Sequence, residues 1–266
     1  MPATTTEGSY ARALAFEREG QAAVAARVED LGWGRAYLQP ALPLVYDQNL
    51  LWAPGDGVDA ETAMAEGDRV LAGLAHRRLI VDDESVWREL THSFTRAGWV
   101  YETEVVMAHR RLPDRVTGVE AVDEGTLADI LPAVEAYVGG QRWGHQPEPR
   151  RQLLEHHRRF SAAAGSERCF FVRDGAGEGR VVAYCKLWHR HGVAQIEDVV
   201  VLPPARGRGY GRAVVTAALR AAQALEPELL FIVADDADWP KELYARLGFD
   251  PVGRLRIFDR RPAGQP

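Results

Sequence analysis

A loop rich in glycine and arginine carries the clearest chemical signal in the sequence. It follows the β-branched residues 199–201 and two prolines, and it leads into a segment with helical periodicity at 209–225. The first N–H groups of a helix have no helical partner, and the helix dipole adds positive potential there. Three glycines free the backbone of the loop and three arginines add charge: Gly207, Gly209, Gly211, Arg206, Arg208 and Arg212. This combination predicts an anion site suited to a pyrophosphate.

Two other phosphate-binding motifs are excluded at this loop. The dinucleotide fingerprint G-x-G-x-x-G fails because Arg212 occupies the position of its third glycine. The Walker motif fails because the sequence contains no Gly-Lys-Ser or Gly-Lys-Thr. What remains is the pattern V-x-P-x-x-R-x-x-G-x-G between a predicted strand and a predicted helix.

The elements that must position this loop alternate between strands and helices. Helices are predicted over 10–30, 59–75, 84–97, 124–138, 148–163, 209–225 and 240–247. Extended segments are predicted over 42–52, 79–81, 99–109, 169–173, 181–188, 193–202, 229–234 and 251–259. This alternation predicts an α/β protein with a central sheet flanked by helices.

The sequence contains an internal repeat with an offset of 150 residues. Without gaps, segment 93–111 aligns with segment 243–261, matching Gly98 to Gly248 and placing Phe94 opposite Tyr244. Convergence on a common helix–turn–strand pattern would explain the match, and so would a duplicated unit of which one copy has lost its chemistry. Of the two aligned aromatic residues, only Tyr244 carries a hydroxyl group.

With these motifs the chain resembles the GNAT superfamily of acyl-CoA-dependent N-acetyltransferases. The resemblance is carried by Val201, Pro203, Arg206, Gly209 and Gly211, and by segment 243–249, which is similar to the family's L-Y-x-x-x-G-F element. It covers residues 113–266 as a complete catalytic unit with a mixed central sheet. Residues 1–112 resemble a partial, degenerate GNAT-like unit, so the chain as a whole resembles a tandem GNAT protein.

The resemblance implies that acetyl-CoA is the acetyl donor and lies along the end of the 193–202 strand. Backbone groups of this strand are expected to hold the pantetheine arm, and the loop is expected to hold the pyrophosphate. The implied binding residues are Val199, Val200, Val201, Arg206, Gly207, Arg208, Gly209, Tyr210, Gly211 and Arg212.

Acetyl transfer to an amine needs a base for the amine and an acid for the departing thiolate. Tyr244 is the candidate acid, because a phenol with a pKa of about 10 keeps its proton at neutral pH. Glu197 is the candidate base, since strand alternation would place it on one face with Val199 and Val201. Asp198 is the alternative base, because a bulge would exchange the two faces.

The acceptor amine is expected near the glycine-rich loop at 137–145. Tyr137, Trp143 and His145 are the candidate contacts in this loop, although ordinary packing of the two aromatic residues is an equally simple interpretation. A small-molecule amine, or a peptide, is the expected acceptor, and direct transfer in a ternary complex is expected because no G-x-S-x-G elbow occurs. The alternative is a non-catalytic acyl-CoA-binding regulatory module.

Composition excludes several other classes of protein. Residues 1–112 carry 11 basic and 17 acidic residues, and residues 113–266 carry 21 of each, so no basic excess favours nucleic acid. No apolar run approaches the roughly 18 residues of a membrane span, and the N-terminus lacks the apolar segment of a signal peptide. Only two cysteines occur, which favours a cytoplasmic location, and no cluster with metal-ligand spacing is present.

Overall fold

The strands of both halves of the chain join in one sheet. The structure, a computed structural model, describes residues 5–55, 57–116, 118, 121–141, 144–175 and 179–261. Its α-helices are α1 (Thr6–Val24), α2 (Ala60–Val70), α3 (Glu84–Arg96), α4 (Leu127–Gly139), α5 (Pro147–Ala163), α6 (Tyr210–Gln223) and α7 (Pro240–Arg246). Its strands are β1 (Arg27–Asp30), β2 (Arg35–Leu38), β3 (Leu50–Ala53), β4 (Arg77–Val81), β5 (Val100–His109), β6 (Asp123–Gly125), β7 (Ser166–Arg173), β8 (Val181–Arg190), β9 (Val193–Val201), β10 (Leu229–Asp235) and β11 (Phe249–Arg260).

The two halves exchange their last long strands. The order of the sheet is β1-β2-β3-β4-β11-β5-β10-β9-β8-β7-β6. Thus β5, from the first half, pairs antiparallel with β10, and β11, from the second half, pairs antiparallel with β4. The two exchanged strands also pair with each other at the centre of the sheet. Neither half therefore completes its own part of the sheet without a strand from the other.

The repeat in the sequence coincides with equivalent positions in this arrangement. The unit β4–α3–β5 corresponds to β10–α7–β11, and the helix of each unit ends just before a glycine in the left-handed region, Gly98 at φ 81° and Gly248 at φ 97°. Glycine is favoured there because it lacks the Cβ that makes this conformation costly. The predicted mixed sheet flanked by helices is confirmed.

The sheet has a separate apolar core on each face. Along β5, Val105 and Met107 pack into the core beneath α6 and α7, whereas Val106 and Ala108 pack into the core beneath α1. This period of two is what a strand buried on both faces requires. Among the described residues, no helix is both long and apolar enough to cross a membrane.

Three short strands and one turn differ from the prediction. The helix predicted over 10–30 ends at Val24, because the following residues pair as β1 with β2. Strands β1, β2 and β6 have only three or four residues and were not predicted, since such short segments show little periodicity. The extended segment predicted over 42–52 contains a 3₁₀ turn, Tyr46–Gln48, which the buried Asn49 closes by donating to the carbonyls of Leu42 and Val45.

Candidate active site

The parallel strands β9 and β10 separate towards their carboxyl ends. Their pairing runs from Val193 opposite Leu229 to Ile196 opposite Ile232, whereas the strands themselves continue to Val201 and Asp235. The edge of β9 that faces β10 is therefore unpaired beyond Ile196. A cavity approaches this opening from each side of the sheet.

A β-bulge at Asp198 decides which side chains face each cavity. The β8–β9 register shifts between Tyr184 and Lys186, and Asp198 has a φ of 52°, which is unusual for a residue other than glycine. The bulge interrupts the alternation of the strand, so Glu197 lies on the face covered by α1 and α5 whereas Val199 packs beneath α6. The prediction that Glu197 shares a face with Val199 and Val201 is therefore wrong, because the strand carries an extra residue between them.

The first cavity, here called the loop cleft, has a volume of about 680 Å³. Its lining includes nine of the ten residues predicted to bind acetyl-CoA: Val199, Val200, Val201, Arg206, Gly207, Gly209, Tyr210, Gly211 and Arg212. The tenth, Arg208, lines a neighbouring cavity together with Arg173 and Pro203. The loop thus divides its arginines between two surfaces, which spacing alone does not predict.

The loop presents its backbone to the cleft. Gly207 and Gly209 have φ values of 77° and 82°, and Gly209 is the N-cap of α6. The first-turn N–H groups of α6 have no acceptor within the helix, as at any helix N-terminus. Arg206 is exposed and donates from Nε to the carbonyl of Val201 at 3.2 Å, which holds its charge at the end of β9.

Arg212 differs from the other loop arginines because its charge is already compensated. It is only 6% exposed, and its Nη1 lies 2.5 Å from Oδ1 of Asp114. This partner is far away in the sequence, so no local pattern could predict the pair. Arg212 therefore anchors the start of α6 to the segment that precedes β6, in addition to lining the cleft.

Tyr244 lines the loop cleft together with the loop residues. It is 5% exposed and packs against Phe249 in a T-shaped arrangement. Burial, followed by the nearby carboxylate of Glu197, raises the pKa of Tyr244, so the phenol keeps its proton throughout the neutral range. The cleft thus holds a protonated phenol within electrostatic reach of Glu197.

Of the three residues predicted to contact the acceptor, the structure describes two, and these two do not line the same cavity. Tyr137 lines the loop cleft, whereas His145 is exposed and is not among the described residues that line either cavity. Trp143 lies outside the described residues.

The second cavity, here called the acidic cavity, has a volume of about 340 Å³ and lies between α1, α5 and the sheet. Both halves of the chain contribute to its walls. Its carboxylates are Glu17, Asp47, Glu104, Glu197, Asp198 and Asp235, and its aromatic residues are Trp52, Phe160 and Trp188. The sequence analysis did not identify Glu17 or Glu104 as site residues. The only signal for Glu104 in the sequence is its alignment with Arg254 in the repeat, where the two residues carry opposite charges.

Asp198 is held in an ion pair. Its Oδ2 lies 2.7 Å from Nζ of Lys186, which is 0% exposed, and 3.3 Å from Nδ1 of His157. Burial alone would raise the pKa of Asp198, but Lys186 and His157 lower it well below the usual range. A carboxylate bound in this way is a weak proton acceptor, because removing it from the pair would leave a buried ammonium.

Among the described residues, no cation pairs with Glu197 in this way. Its Oε2 accepts a hydrogen bond from Nε2 of Gln195 at 2.7 Å, and the same nitrogen donates to Oε1 of Glu17 at 2.5 Å. Burial, then the negative charges of Asp198, Glu17 and Glu104, raise the pKa of Glu197 well above its usual value. Of the two adjacent carboxylates, Glu197 is therefore the better proton acceptor.

Comparison with known proteins finds one family model that matches part of the second half of the chain. Residues 133–249 match the family model described as the acetyltransferase (GNAT) family. No curated protein matches the sequence.

Solved structures share the fold across almost the whole chain. A GCN5-related N-acetyltransferase from Kribbella flavida has 18% identity and a TM-score of 0.59, with 96% of each chain covered. A functionally unknown conserved protein from Staphylococcus epidermidis has 14% identity and a TM-score of 0.64, covering 89% of this chain and 94% of that one. A tandem GNAT protein from the clavulanic acid biosynthesis pathway has 18% identity and a TM-score of 0.54, covering 88% of this chain and 79% of that one. At these identities the likeness is one of fold, and it extends over both halves of the chain.

Proposed function

We propose that the protein transfers an acetyl group from acetyl-CoA to a primary amine of a small molecule, because residues 133–249 match the model of the GNAT acetyltransferase family. The observation that carries the proposal is the opening between β9 and β10. It lies between the loop cleft, which holds Tyr244, and the acidic cavity, which holds Glu197. Donor and acceptor can therefore approach one point from opposite sides of the sheet.

The loop cleft fits the chemistry of coenzyme A. The unpaired edge of β9 offers backbone groups to an extended pantetheine arm, and the first turn of α6 offers N–H groups to a pyrophosphate. At Gly207 and Gly209 no atom lies within 4 Å of the position of a Cβ, so the backbone there is open to a ligand. Acetyl-CoA bound here supplies the acetyl thioester.

Two side chains supply the proton transfers that the reaction needs. Glu197, directly or through a water molecule, accepts the proton that the amine loses as its nitrogen forms the bond to the acetyl carbon. Tyr244 donates its phenolic proton to the sulfur as the carbon–sulfur bond breaks. The products are the N-acetylated amine and coenzyme A, and transfer is direct, with no acyl-enzyme.

We propose that only one of the two halves is catalytic and that the other supports it. Residues 113–266 form the catalytic unit, and residues 1–112 form a partial unit without its own chemistry, because Phe94 fills the core at the position of Tyr244. The partial unit supports the site by contributing β5, Glu17 and Glu104. Both cysteines are free thiols, in keeping with the proposed cytoplasmic location.

A screen of chemically diverse amines tests this function. Purified protein is incubated with acetyl-CoA and each amine, and both the released thiol and the mass of the acetylated product are measured. The proposal expects one thiol for each acetylated amine. Binding of acetyl-CoA without turnover of any amine would instead identify a non-catalytic acyl-CoA-binding module, and no binding at all would refute both.

A further inference from the structure

The acidic cavity has the composition of a site for a ligand with several positive charges. We propose that the acceptor is a small aliphatic amine with at least two ammonium groups, bound across the seam between the two halves of the chain. This inference rests on the proposed function, because Glu197, the proposed base, lines this cavity.

Carboxylates from three strands face this cavity from one side of the sheet. Glu197 lies on β9, Asp235 on β10 and Glu104 on β5, and Glu104 is directly opposite Asp235 in the β5–β10 ladder. Strands β9 and β5 are two strand spacings apart, which is roughly 10 Å. The carboxyl groups are thus spread along the cavity, so that when one ammonium group binds at Glu197, Glu104 is still available to bind a second one.

Asp198 and Asp47 have cationic partners in Lys186 and Arg78, but three glutamates of the cavity have none among the described residues. Within the part of the chain that the structure describes, Glu17, Glu104 and Glu197 form no ion pair. Arg190 donates to the carbonyl of Phe16 and pairs with Glu19, and Arg78 pairs with Asp47 at the cavity wall and with Asp259. A cation from outside the protein would stabilise the ionised forms of these buried carboxyl groups, which have no cation of their own.

Unpartnered polar atoms point to a ligand independently of the carboxylates. Gln195 is 1% exposed, and while its amide nitrogen binds Glu17 and Glu197, its Oε1 has no hydrogen-bond partner among the described residues. His156 lines the cavity, and its buried Nδ1 likewise has no partner among them. An alkylammonium group has three N–H donors, which suits a mixture of carboxylate and neutral acceptors.

The remaining walls suit a hydrocarbon chain. Phe160 and Trp188 stack with their ring centroids 5.7 Å apart, and Trp52 lines the same cavity from β3. Aromatic faces attract both methylene groups and ammonium groups. A volume of about 340 Å³ is near the lower end for ligand pockets, which favours a small flexible amine over a peptide.

Comparison of two isosteric amines tests the proposal. Cadaverine and hexylamine have the same chain length, but cadaverine has an ammonium group where hexylamine has a methyl group. We expect kcat/KM to be at least about tenfold higher for cadaverine, the amount that one charge-assisted hydrogen bond provides. ε-Aminocaproate, with a carboxylate at that end, is expected to be the poorest acceptor of the three.

The variant Glu104→Gln locates the second charge. It is expected to reduce the preference for cadaverine over hexylamine by about tenfold, chiefly through KM for cadaverine, and to leave KM for acetyl-CoA unchanged. Glu89→Gln, which changes an exposed carboxylate on α3, is the matched control and is expected to keep the full preference. If Glu104→Gln does not fold, the comparison of isosteric amines with the wild-type protein still decides the question.

The results separate this inference from the function on which it rests. Turnover of hexylamine at a rate equal to that of cadaverine would overturn the inference and leave acetyl transfer intact. Saturable binding of cadaverine by calorimetry without any acetylation would support the charge-selective cavity and refute the proposed function. An equal effect of Glu104→Gln on both amines would also overturn the inference.

Discussion

Glu104 in the first half of the chain lies directly opposite Asp235 in the second half, within the β5–β10 ladder. Like charges in this position destabilise a strand pair, yet both side chains line the acidic cavity beside the proposed transfer point. The pair exists because each half contributes its last long strand to the other. The β5–β10 pairing thus connects the two halves of the chain and also forms one wall of the candidate site.

The exchanged strand makes the second half dependent on the first. A fragment containing only residues 113–266 would lack β5 and leave unpaired edges on β10 and β11. Unpaired edges favour aggregation, so we expect this fragment to be insoluble when expressed alone and to regain solubility and activity when coexpressed with residues 1–112. Size-exclusion chromatography with an acetylation assay makes the comparison. A soluble, fully active fragment would show that β5 is dispensable.

Tyr244→Phe is expected to reduce turnover by about 100-fold or more while leaving KM for acetyl-CoA unchanged. The variant removes only the hydroxyl that we assign to protonation of the thiolate, and general acid catalysis contributes at least about this much. Tyr101→Phe, which removes an exposed hydroxyl from β5, is the matched control. Steady-state kinetics on both variants test the assignment, and unchanged turnover in Tyr244→Phe would remove it.

Glu197 and Asp198 are expected to respond differently to loss of charge. If Glu197 is the base, kcat/KM rises with pH as this carboxyl group loses its proton. The midpoint of this rise in kcat/KM should lie at a pH above the ordinary pKa range of glutamate, because burial and the charges of Asp198, Glu17 and Glu104 raise the pKa of Glu197. Glu197→Gln should abolish this pH-dependent rise and lower the maximal kcat/KM about 100-fold.

Asp198→Asn should act on stability. It leaves the ammonium of Lys186 buried without its partner, which costs about 3 kcal/mol of unfolding free energy and lowers Tm. A pH–rate profile for each variant, with thermal unfolding alongside, separates the two roles. If the rise of kcat/KM with pH persists in Glu197→Gln and is lost in Asp198→Asn, then Asp198 and not Glu197 is the base.

The stability of the protein is expected to fall as pH rises through the range in which Glu104 ionises. Burial, followed by the charges of Glu17, Glu102 and Asp235 and offset in part by Arg78, raises the pKa of Glu104 from 4.5 to about 7. Between these values the folded state holds a proton that the unfolded state has released, so the free energy of unfolding decreases with pH.

Glu104→Gln is expected to flatten this decrease and to raise Tm above pH 7, whereas Glu89→Gln is expected to follow the wild-type profile. Urea unfolding across the pH range measures the effect. Superimposable profiles for Glu104→Gln and the wild-type protein would contradict the environment that we assign to Glu104.

The local elements could be predicted from the sequence, whereas the pairing of strands between the two halves could not. The glycine–arginine loop, the following helix and the position of Tyr244 depend on spacing over a few residues, and the loop residues other than Arg208 do line one cleft with Tyr244. The strand exchange, the partner of Arg212 and the bulge at Asp198 depend on residues distant in sequence or on a one-residue insertion in a ladder. The periodicity of apolar residues contains no information on any of these three features.

Titration of the purified protein with acetyl-CoA, followed by calorimetry, tests the central claim most directly. We expect saturable binding at one site, weakened about tenfold by Arg206→Ala and less by Arg208→Ala, because Arg206 lines the loop cleft and Arg208 lines a neighbouring cavity. The absence of heat with acetyl-CoA and with coenzyme A, or binding that Arg206→Ala leaves unchanged, would contradict the account.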